Sequence, residues 1–270
     1  MSNYIIGDIQ GCYREFIDLL DLIGFDTKND KLWLTGDMIN RGPDSLAVIN
    51  FLMKHQDSVI AVLGNHELHF LAIANKIRLP SKNDSIEQIL SSPNCDEIIR
   101  WLRTLPLIYY SHDFNIAMVH AGIYPKWNLN EALAYGDKMH KLIESNNWVH
   151  VLSNMYGNDP AKQEDIKSDE DNYRFILNVF TRMRYCTQEG ELDLIINSPP
   201  GTQPAHLVPW YELSGISKAS YRLFFGHWAS LGIHTYKNVT CMDSGCVWGR
   251  SLTGFCIETS QFYSVPESKI

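Results

Sequence analysis

The sequence predicts an α/β fold built as one domain over residues 1–270, with an inserted segment at about residues 125–215. Three observations predict it. Short apolar runs alternate with stretches of helical periodicity in the N-terminal half, the middle of the chain is rich in Asn, Pro and charged residues, and β-type runs return from Arg222 onward. The alternation is typical of α/β proteins, and we expect the returning runs to complete a second sheet.

The predicted elements can be placed in order along the chain. Strands are predicted at 4–6, 32–34, 59–63 and 116–119, helices at 15–23, 45–53 and 67–74, and later strands at 223–225, 239–242, 254–257 and 262–265. The stretch from Lys162 to Asn172 is too polar to form a core strand. We therefore interpret residues 125–215 as an inserted lid or substrate-recognition segment.

Composition limits the classes of partner and compartment. The 31 acidic and 23 basic residues give a net charge of -8, which argues against a protein that binds nucleic acid by neutralising phosphates, so no sequence-specific nucleic-acid partner is expected. No apolar run approaches the roughly 20 residues that cross a bilayer, so no membrane partner is expected either. The six cysteines form no CxxC pair, and the chain begins without a signal-peptide pattern, which predicts reduced thiols and a cytoplasmic protein.

Polar residues follow the predicted strands at five places. Three of them are the motifs Gly7-Asp8-Ile9-Gln10-Gly11, Gly36-Asp37-Met38-Ile39-Asn40-Arg41-Gly42 and Gly64-Asn65-His66-Glu67. The other two are single histidines after apolar runs, His120 and His227. Because ligands collect at the carboxyl ends of strands in open α/β sheets, we expect these side chains to converge on one site.

The residue types at these strand ends are those of a site for two divalent cations. Such a pair lies about 3.5–4 Å apart and needs a carboxylate that bridges both ions, with oxygen and imidazole ligands that leave positions open for water. Asp37 is the candidate bridge, and Arg41 would contact a phosphate bidentately. Each element alone has an ordinary explanation, since Gly-Asp is usually a turn and Asn-His can cap a helix. Their combination predicts a metal site.

This set of motifs resembles that of the calcineurin-like metallophosphoesterase superfamily. Within the superfamily, further segments are similar to the symmetrical bis(5'-nucleosyl)-tetraphosphatases, and the similarity covers nearly the whole chain. These segments are Trp33-Leu34-Thr35, Trp101-Leu102-Arg103, Met155-Tyr156-Gly157, Phe180-Thr181-Arg182-Met183-Arg184, Trp228-Ala229-Ser230-Leu231 and Asp243-Ser244-Gly245-Cys246-Val247-Trp248-Gly249.

The resemblance implies a sandwich of two facing sheets flanked by helices, and a site with two divalent metal ions, usually Mn²⁺ or Co²⁺. The implied ligands are Asp8, Gln10 and Asp37 for the first metal, and Asp37, Asn65, His120 and His227 for the second. The implied reaction is hydrolysis of diadenosine tetraphosphate and related dinucleoside polyphosphates to two ADP, by attack of a metal-bound hydroxide on an inner phosphorus. His66 and Arg41 match catalytic positions that contact the phosphate, and His66 is the candidate general acid.

The chain departs from the superfamily pattern at two positions. Gln10 stands where a histidine is usual, and an amide is a weaker ligand than imidazole for these metals, so we expect the first metal to be held more loosely. Asn40 stands where protein phosphatases of this superfamily have an aspartate that orients the acid histidine. Because ADP leaves as an anion, we interpret Asn40 as the sign of a smaller demand for an acid.

The middle segment offers further candidate contacts to substrate. Arg182 and Arg184 would clamp a polyphosphate, and they share a side only if their stretch is extended, since alternate residues of a strand face the same way. Tyr156, Trp148 and Trp210 are large enough to stack on adenine, but aromatic residues in an insertion more often form its own core, so no base-binding residue is predicted.

Two alternatives remain open at this stage, together with the oligomeric state. A phosphoprotein phosphatase would use the same metal core but would have an aspartate at position 40. A non-catalytic scaffold of the same fold would have lost ligands, yet Asp37 and His227 are both present, and only Gln10 favours that alternative.

Overall fold

The computed structural model describes residues 1–268, and its strands form two five-stranded sheets and one small three-stranded sheet. The strands are β1 (Asn3–Ile6), β2 (Lys31–Leu34), β3 (Val59–Ala61), β4 (Ile108–Ser111), β5 (Ile116–Val119), β6 (Tyr185–Cys186), β7 (Leu192–Asp193), β8 (Val208–Pro209), β9 (Arg222–Phe225), β10 (His234–Tyr236), β11 (Val239–Cys241), β12 (Ser251–Cys256) and β13 (Gln261–Pro266). The helices are α1 (Tyr13–Ile23), α2 (Ser45–Lys54), α3 (Asn65–Ala74), α4 (Glu87–Leu90), α5 (Cys95–Arg103), α6 (Leu129–Glu144), α7 (Trp148–Ser153), α8 (Asp169–Arg182) and α9 (Ser214–Ser217). Of the helices in residues 1–268, none combines the length and the apolar character needed to cross a bilayer.

The order of the strands brings several strand ends together. The first sheet has the order β13-β12-β1-β2-β3, and the second has the order β10-β11-β9-β5-β4. Strands β1, β2 and β3 run parallel to one another, and so do β5, β9 and β11. Because parallel strands end at the same edge, the loops that carry the polar motifs leave each sheet on one side.

A layer of buried side chains separates the two large sheets. It contains Trp33 of the first sheet and Met118 and Phe224 of the second. The neighbouring Leu34 points to the other face of the first sheet and belongs with Phe16 of α1 to the larger core cluster, since side chains alternate along a strand. The predicted sandwich of two facing sheets flanked by helices is therefore confirmed.

Most of the predicted elements are present, with shifted ends. The helix predicted from residue 67 begins at Asn65, because the Glu67 carboxylate turns back and accepts a hydrogen bond of 2.8 Å from the Gly64 N–H. Strands β4 and β10 were not predicted from the sequence. Edge strands of this kind carry a weaker apolar pattern, and β10 is largely exposed.

Residues 125–215 contain α6 to α8, the first two residues of α9, and the three-stranded sheet, whose order is β7-β6-β8. Trp127 stacks on Tyr135 of α6 with a centroid distance of 4.3 Å. The fully buried Trp210 packs edge-on against Phe225 of β9 at 5.2 Å, so the core of this segment is continuous with the core of the sheets. Its role as a lid or recognition segment stays a prediction.

The geometry around Arg182 and Arg184 differs from an extended strand. Arg182 is the last residue of α8, and the extended backbone begins at Met183, with φ -62° and ψ 134°. Both arginines nevertheless line one cavity. The two side chains reach the same cavity because α8 ends at Arg182, and not because the stretch is an extended strand. The buried Met183 side chain anchors the backbone between the two arginines in the core.

Candidate metal centre and catalytic cleft

The polar motifs meet where the strands of the two sheets end. Asp8 and Asp37 follow β1 and β2, His120 comes directly after β5, and His227 follows β9 by two residues. Asn65 opens α3 after β3. The structure thus brings together the residues that the sequence placed at separate strand ends, while their roles as ligands stay predictions.

Several residues of the centre have a left-handed backbone. The φ angles are 46° at Gln10, 49° at Asp37, 75° at Asn40, 66° at Arg41 and 66° at His227. This region is costly for residues other than glycine, and it persists only where the surrounding structure determines it. Because such residues cluster here, the backbone of these loops is held in a costly conformation that directs their side chains into the centre.

Two glycines are required for the close approach of the loops. A Cβ atom on Gly64 would collide with Oδ1 of Asp37, and a Cβ atom on Gly226 would collide with Oδ1 of Asp8. Every larger residue at these positions would displace a carboxylate of the centre.

Asp37 lies at the middle of the candidate ligands. Its Oδ1 atom is 3.4 Å from Nε2 of His120, and its Oδ2 atom is 3.7 Å from Nε2 of His66. One donor atom each of Asp37, His120 and His227 lie within 4.8 Å of one another. This arrangement suits a carboxylate shared between two cations.

Both candidate histidine ligands are oriented by backbone carbonyl groups. The Nδ1 atom of His120 is 2.8 Å from the Thr35 carbonyl oxygen, which leaves Nε2 to face Asp37 and, at 3.1 Å, Oδ1 of Asn65. The Nε2 atom of His227 is 3.0 Å from the Arg182 carbonyl oxygen, which leaves Nδ1 for a metal. A carbonyl partner on one ring nitrogen is the usual way in which a metal-binding histidine is fixed.

Gln10 lies beside Asp37, and its role as a ligand stays a prediction. Its side chain is buried, and Nε2 donates to Oδ2 of Asp37 over 3.3 Å. Amide nitrogen and oxygen exchange by a rotation of the side chain, so the same geometry offers Oε1 to a cation beside Asp37.

The carboxylates of the centre have perturbed pKa values. Burial, followed by repulsion from Asp243 and Asp37, raises the pKa of Asp8 well above its usual range. Burial raises the pKa of Asp243 to about 6. Burial also acts to raise the pKa of Asp37, but the charges of His120 and His66 outweigh it and hold the pKa of this carboxyl below its usual range.

This donor set fits divalent cations. Three buried carboxylates repel one another, and two imidazoles and an amide lie beside them. Cations bound here would stabilise the charged carboxylates that burial disfavours. Oxygen and imidazole donors together suit metals such as manganese and cobalt better than soft thiolate-binding metals.

Asn40 connects His66 to a carboxylate that lies further away. The Oδ1 atom of Asn40 accepts hydrogen bonds from the backbone N–H groups of Arg41 (2.7 Å) and Ser85 (2.9 Å), which fixes the orientation of the amide. Its Nδ2 atom therefore donates to Nδ1 of His66 (3.0 Å) and to Oδ1 of Asp84 (2.9 Å). Because Nδ1 of His66 accepts a hydrogen bond here, the neutral ring carries its own proton on Nε2, on the side of Asp37.

Arg41, Arg182 and Arg184 are three of the four arginines that line the cleft, and they differ in their numbers of partners. Arg182 is held by three acceptors, the Gly157 carbonyl oxygen and the side-chain oxygens of Asn158 and Asn178, at 2.9–3.0 Å. Arg184 donates to the His227 carbonyl oxygen over 2.8 Å, and its buried Nε atom has no partner among the described residues. Arg41 donates to the Asn83 carbonyl oxygen over 2.9 Å.

All three arginines line a cavity of about 600 Å³ together with Asp37, Asn65, His66 and His227. The cavity also reaches Trp248, whose side chain is 62% exposed. Cationic side chains beside buried carboxylates form a place where a polyphosphate and its counter-cations can bind together.

Sequence reasoning missed two carboxylates of this site. Asp243 follows β11 by two residues, and the same strand-end rule that found Asp8 would have found it. Asp84 lies in a loop far from any strand end, and its contact with Asn40 spans 44 residues. No local signal in the sequence indicates such a contact.

Comparison with known proteins places this geometry in a family. The family model of calcineurin-like phosphoesterases matches residues 1–198. The symmetrical bis(5'-nucleosyl)-tetraphosphatase of Cellvibrio japonicus is 43% identical, over 96% of this chain and 96% of its own length. The enzyme of the same name from Edwardsiella ictaluri is 42% identical, over 100% of this chain and 97% of its own length.

Solved structures share the fold at lower identity. A crystal structure of a provisionally assigned diadenosine tetraphosphatase has a TM-score of 0.67 at 22% identity, over 100% of this chain and 95% of that chain. A serine/threonine phosphatase from Saccharomyces cerevisiae has a TM-score of 0.55 at 11% identity, over 100% and 80%. At such identities the likeness concerns the fold alone, which two different phosphatase activities share.

Proposed function

This chain belongs to the calcineurin-like phosphoesterases and, within them, to the symmetrical bis(5'-nucleosyl)-tetraphosphatase family, and we propose that it hydrolyses diadenosine tetraphosphate and related dinucleoside polyphosphates to two ADP. The observation that carries the proposal is the position of the buried carboxylate and histidine cluster at the floor of an arginine-lined cavity. Such a cavity combines a place for metals with a place for several phosphates.

The proposed ligands are those that the sequence predicted. Asp8, Gln10 and Asp37 would hold one cation, Asp37, Asn65, His120 and His227 would hold the other, and Mn²⁺ or Co²⁺ is the proposed metal. When bound, the cations supply Lewis acidity toward phosphoryl oxygens and lower the pKa of water. The buried Asp243 adds a further negative charge beside this set.

The protein side chains supply positioning and a proton. Arg41 and Arg184 have guanidinium groups with donors left for phosphate oxygens, and they hold the inner phosphates in the cavity. His66 presents Nε2–H on the side of Asp37, where the neutral ring can donate a hydrogen bond to the leaving ADP and the protonated ring can also donate a proton. ADP leaves as an anion, so stabilising charge matters more here than complete proton transfer.

The rival activities have no specific support. A serine/threonine phosphatase shares the fold at 11% identity, whereas the tetraphosphatase relatives match nearly the whole chain at about four times that identity. A scaffold without catalysis would not need five residues with a costly left-handed backbone, Asp37 among them, clustered at one site. We propose a cytoplasmic enzyme that needs no nucleic-acid partner, in keeping with its acidic charge.

Product analysis tests the proposed function directly. The full chain is incubated with Mn²⁺ and diadenosine tetraphosphate, and the products are separated by anion-exchange chromatography. Two ADP per substrate are expected. AMP together with ATP would mean attack at an outer position and would refute symmetrical cleavage, and no product at all would refute the activity.

A further inference from the structure

A second cavity adjoins the candidate catalytic cleft. Its volume is about 440 Å³, and four of the residues that line it also line the first cavity: Arg41, Asn65, His66 and Arg182. The reactive groups therefore lie where two cavities meet. A substrate that is cut in its middle has one half on each side of the reacting phosphorus, so two cavities that meet at the reactive groups match its shape.

The second cavity differs from the first in its walls. Away from the shared residues it combines an apolar part, formed by Leu68, Met155, Leu177 and the ring of Tyr156, with the polar side chains of His69, Arg78, Asn178 and Thr181. None of the described residues that line it has a carboxylate. The apolar side chains and the aromatic ring offer an uncharged planar group a surface to pack on, and a lining without a carboxylate does not suit a metal ion.

The Tyr156 ring is held in place from two sides. Its hydroxyl group is 2.8 Å from Nδ1 of His69, and Nε2 of His69 is 3.2 Å from Oδ2 of Asp84. The Arg78 guanidinium lies over the ring, 4.5 Å from the ring centroid. A ring that is fixed before the ligand arrives costs little entropy when a base packs against it.

A second aromatic residue of the chain provides the contrast. Trp148 also lies beneath an arginine, Arg103, at 4.4 Å from the ring centroid. It lines neither the first nor the second cavity. An arginine over a ring is thus not by itself a binding site, and the position of Tyr156 in the cavity wall is what distinguishes it.

We propose that the second cavity binds the nucleoside of one half of the dinucleoside polyphosphate, with its base against Tyr156 and Arg78. The other half extends into the first cavity past Arg184. This inference rests on the proposed function, which supplies the symmetrical substrate. Arg182, which lines both cavities, marks the boundary between the phosphates and this nucleoside.

The test compares substrates with and without a nucleoside. In the full chain with Mn²⁺, Tyr156→Leu is expected to lower the ratio of kcat/KM for diadenosine tetraphosphate to that for p-nitrophenyl phosphate by about ten-fold, the scale of one lost base–aromatic contact. Tyr156→Phe keeps the ring and is expected to restore most of the ratio. Trp148→Leu is the matched control and is expected to leave the ratio unchanged.

Inhibition by ADP separates failure of this inference from failure of the proposed function. ADP and inorganic phosphate are each tested as inhibitors of p-nitrophenyl phosphate hydrolysis. Tyr156→Leu is expected to weaken inhibition by ADP and to leave inhibition by inorganic phosphate unchanged. If diadenosine tetraphosphate is not hydrolysed, the proposed function fails and the ADP inhibition still decides the nucleoside site. An unchanged ratio, or equal inhibition of parent and Tyr156→Leu by ADP in a protein with normal thermal unfolding, overturns the inference.

Discussion

The strand-end loops and the segment at residues 125–215 contribute to one cleft in different ways. The loops supply short, buried side chains such as Asp37 and His120, held by a left-handed backbone or by carbonyl partners. The segment supplies long, half-buried side chains such as Arg182, Arg184 and Tyr156. The first region therefore suits the proposed metal site, which needs fixed geometry, and the second suits the proposed contact with a larger and variable ligand.

This contrast separates chemistry from substrate selection. A change in the loops is expected to affect every phosphate ester that the protein hydrolyses, because all of them react at the same metals. A change in the segment is expected to affect long substrates more than short ones. Substitutions in each region can test this division.

The largest effect is expected from Asp37→Asn. The amide cannot bridge two cations as a carboxylate does, so kcat should fall by about 10²–10³-fold or more for diadenosine tetraphosphate and for p-nitrophenyl phosphate alike. Equilibrium titration with Mn²⁺ should show weaker binding at both metal positions. A fall in kcat for diadenosine tetraphosphate but not for p-nitrophenyl phosphate would contradict the bridging role of Asp37. It would also show that the loops contribute to substrate selection.

The next effect compares the two arginines of the segment. Arg184 has a buried Nε atom without a partner among the described residues, whereas Arg182 is already held by three acceptors. Arg184→Ala should raise KM for diadenosine tetraphosphate by about ten-fold or more, since a hydrogen bond to a charged group contributes about 1.5–3 kcal/mol, and should change KM for p-nitrophenyl phosphate less.

Arg182→Ala serves as the comparison for that measurement. Because its guanidinium joins the end of α8 to Gly157 and Asn158, we expect this variant to unfold at a lower temperature as well as to bind the tetraphosphate less tightly. Equal increases of KM on both substrates for Arg184→Ala would show that this arginine is structural.

The same contrast explains what the sequence could and could not predict. Each ligand of the loops lies within a few residues of a strand end, so its position follows from local pattern and from the rule that strand ends converge. Asp8, Gln10, Asp37, Asn65, His120 and His227 were all placed near strand ends in this way, and the resemblance to the family implied that they are the ligands. Asp243 obeys the same rule, since it directly follows the strand predicted at 239–242, but the rule was not applied to this strand.

The contacts of the segment depend on tertiary packing instead. Arg182 faces the cleft because α8 ends at that residue, and Tyr156 lines the second cavity because His69 and Arg78 hold it there. These contacts join residues that are far apart in the chain, and no periodicity indicates them. The hydrogen bond between Asn40 and Asp84 also joins residues that are far apart in the chain. The sequence therefore showed an amide at position 40 but gave no sign of the carboxylate beside it.

A smaller effect is expected from Gln10→His, which tests whether residue 10 of the loops is a metal ligand. Imidazole is a better ligand than an amide for manganese or cobalt, so the concentration of Mn²⁺ that gives half-maximal activity should fall several-fold. Gln10 has φ 46°, and histidine is among the residues that tolerate a left-handed backbone better than most. A variant that needs as much Mn²⁺ as the parent, or more, would show that Gln10 is not a ligand or is already well adapted.

The smallest effect is expected at Asn40, and it depends on the leaving group of the substrate. An alkyl phosphomonoester expels an alkoxide, which gains much from a proton donor, whereas the tetraphosphate expels ADP as an anion. A carboxylate at position 40 would favour the protonated form of His66 and so would help the first substrate more than the second. Asp84 opposes this change in the native chain, because its Oδ1 atom lies 2.9 Å from Nδ2 of Asn40 and would repel a new carboxylate.

We therefore expect Asn40→Asp alone to change the ratio of the two rates little, and Asn40→Asp combined with Asp84→Asn to raise hydrolysis of an alkyl phosphomonoester relative to diadenosine tetraphosphate by a few-fold. The combined variant exchanges the positions of amide and carboxylate, so the amide at position 84 can donate to the new carboxylate, which in turn accepts from Nδ1–H of His66. Asp84→Asn alone is the control, since it removes the distant charge but leaves the Asn40 amide beside His66. Rates for both substrates, measured across pH for all four proteins, decide the matter. If the combined variant keeps the parent ratio, either His66 is not the acid or residue 40 does not act through it, and the loops would then carry no selectivity for the leaving group.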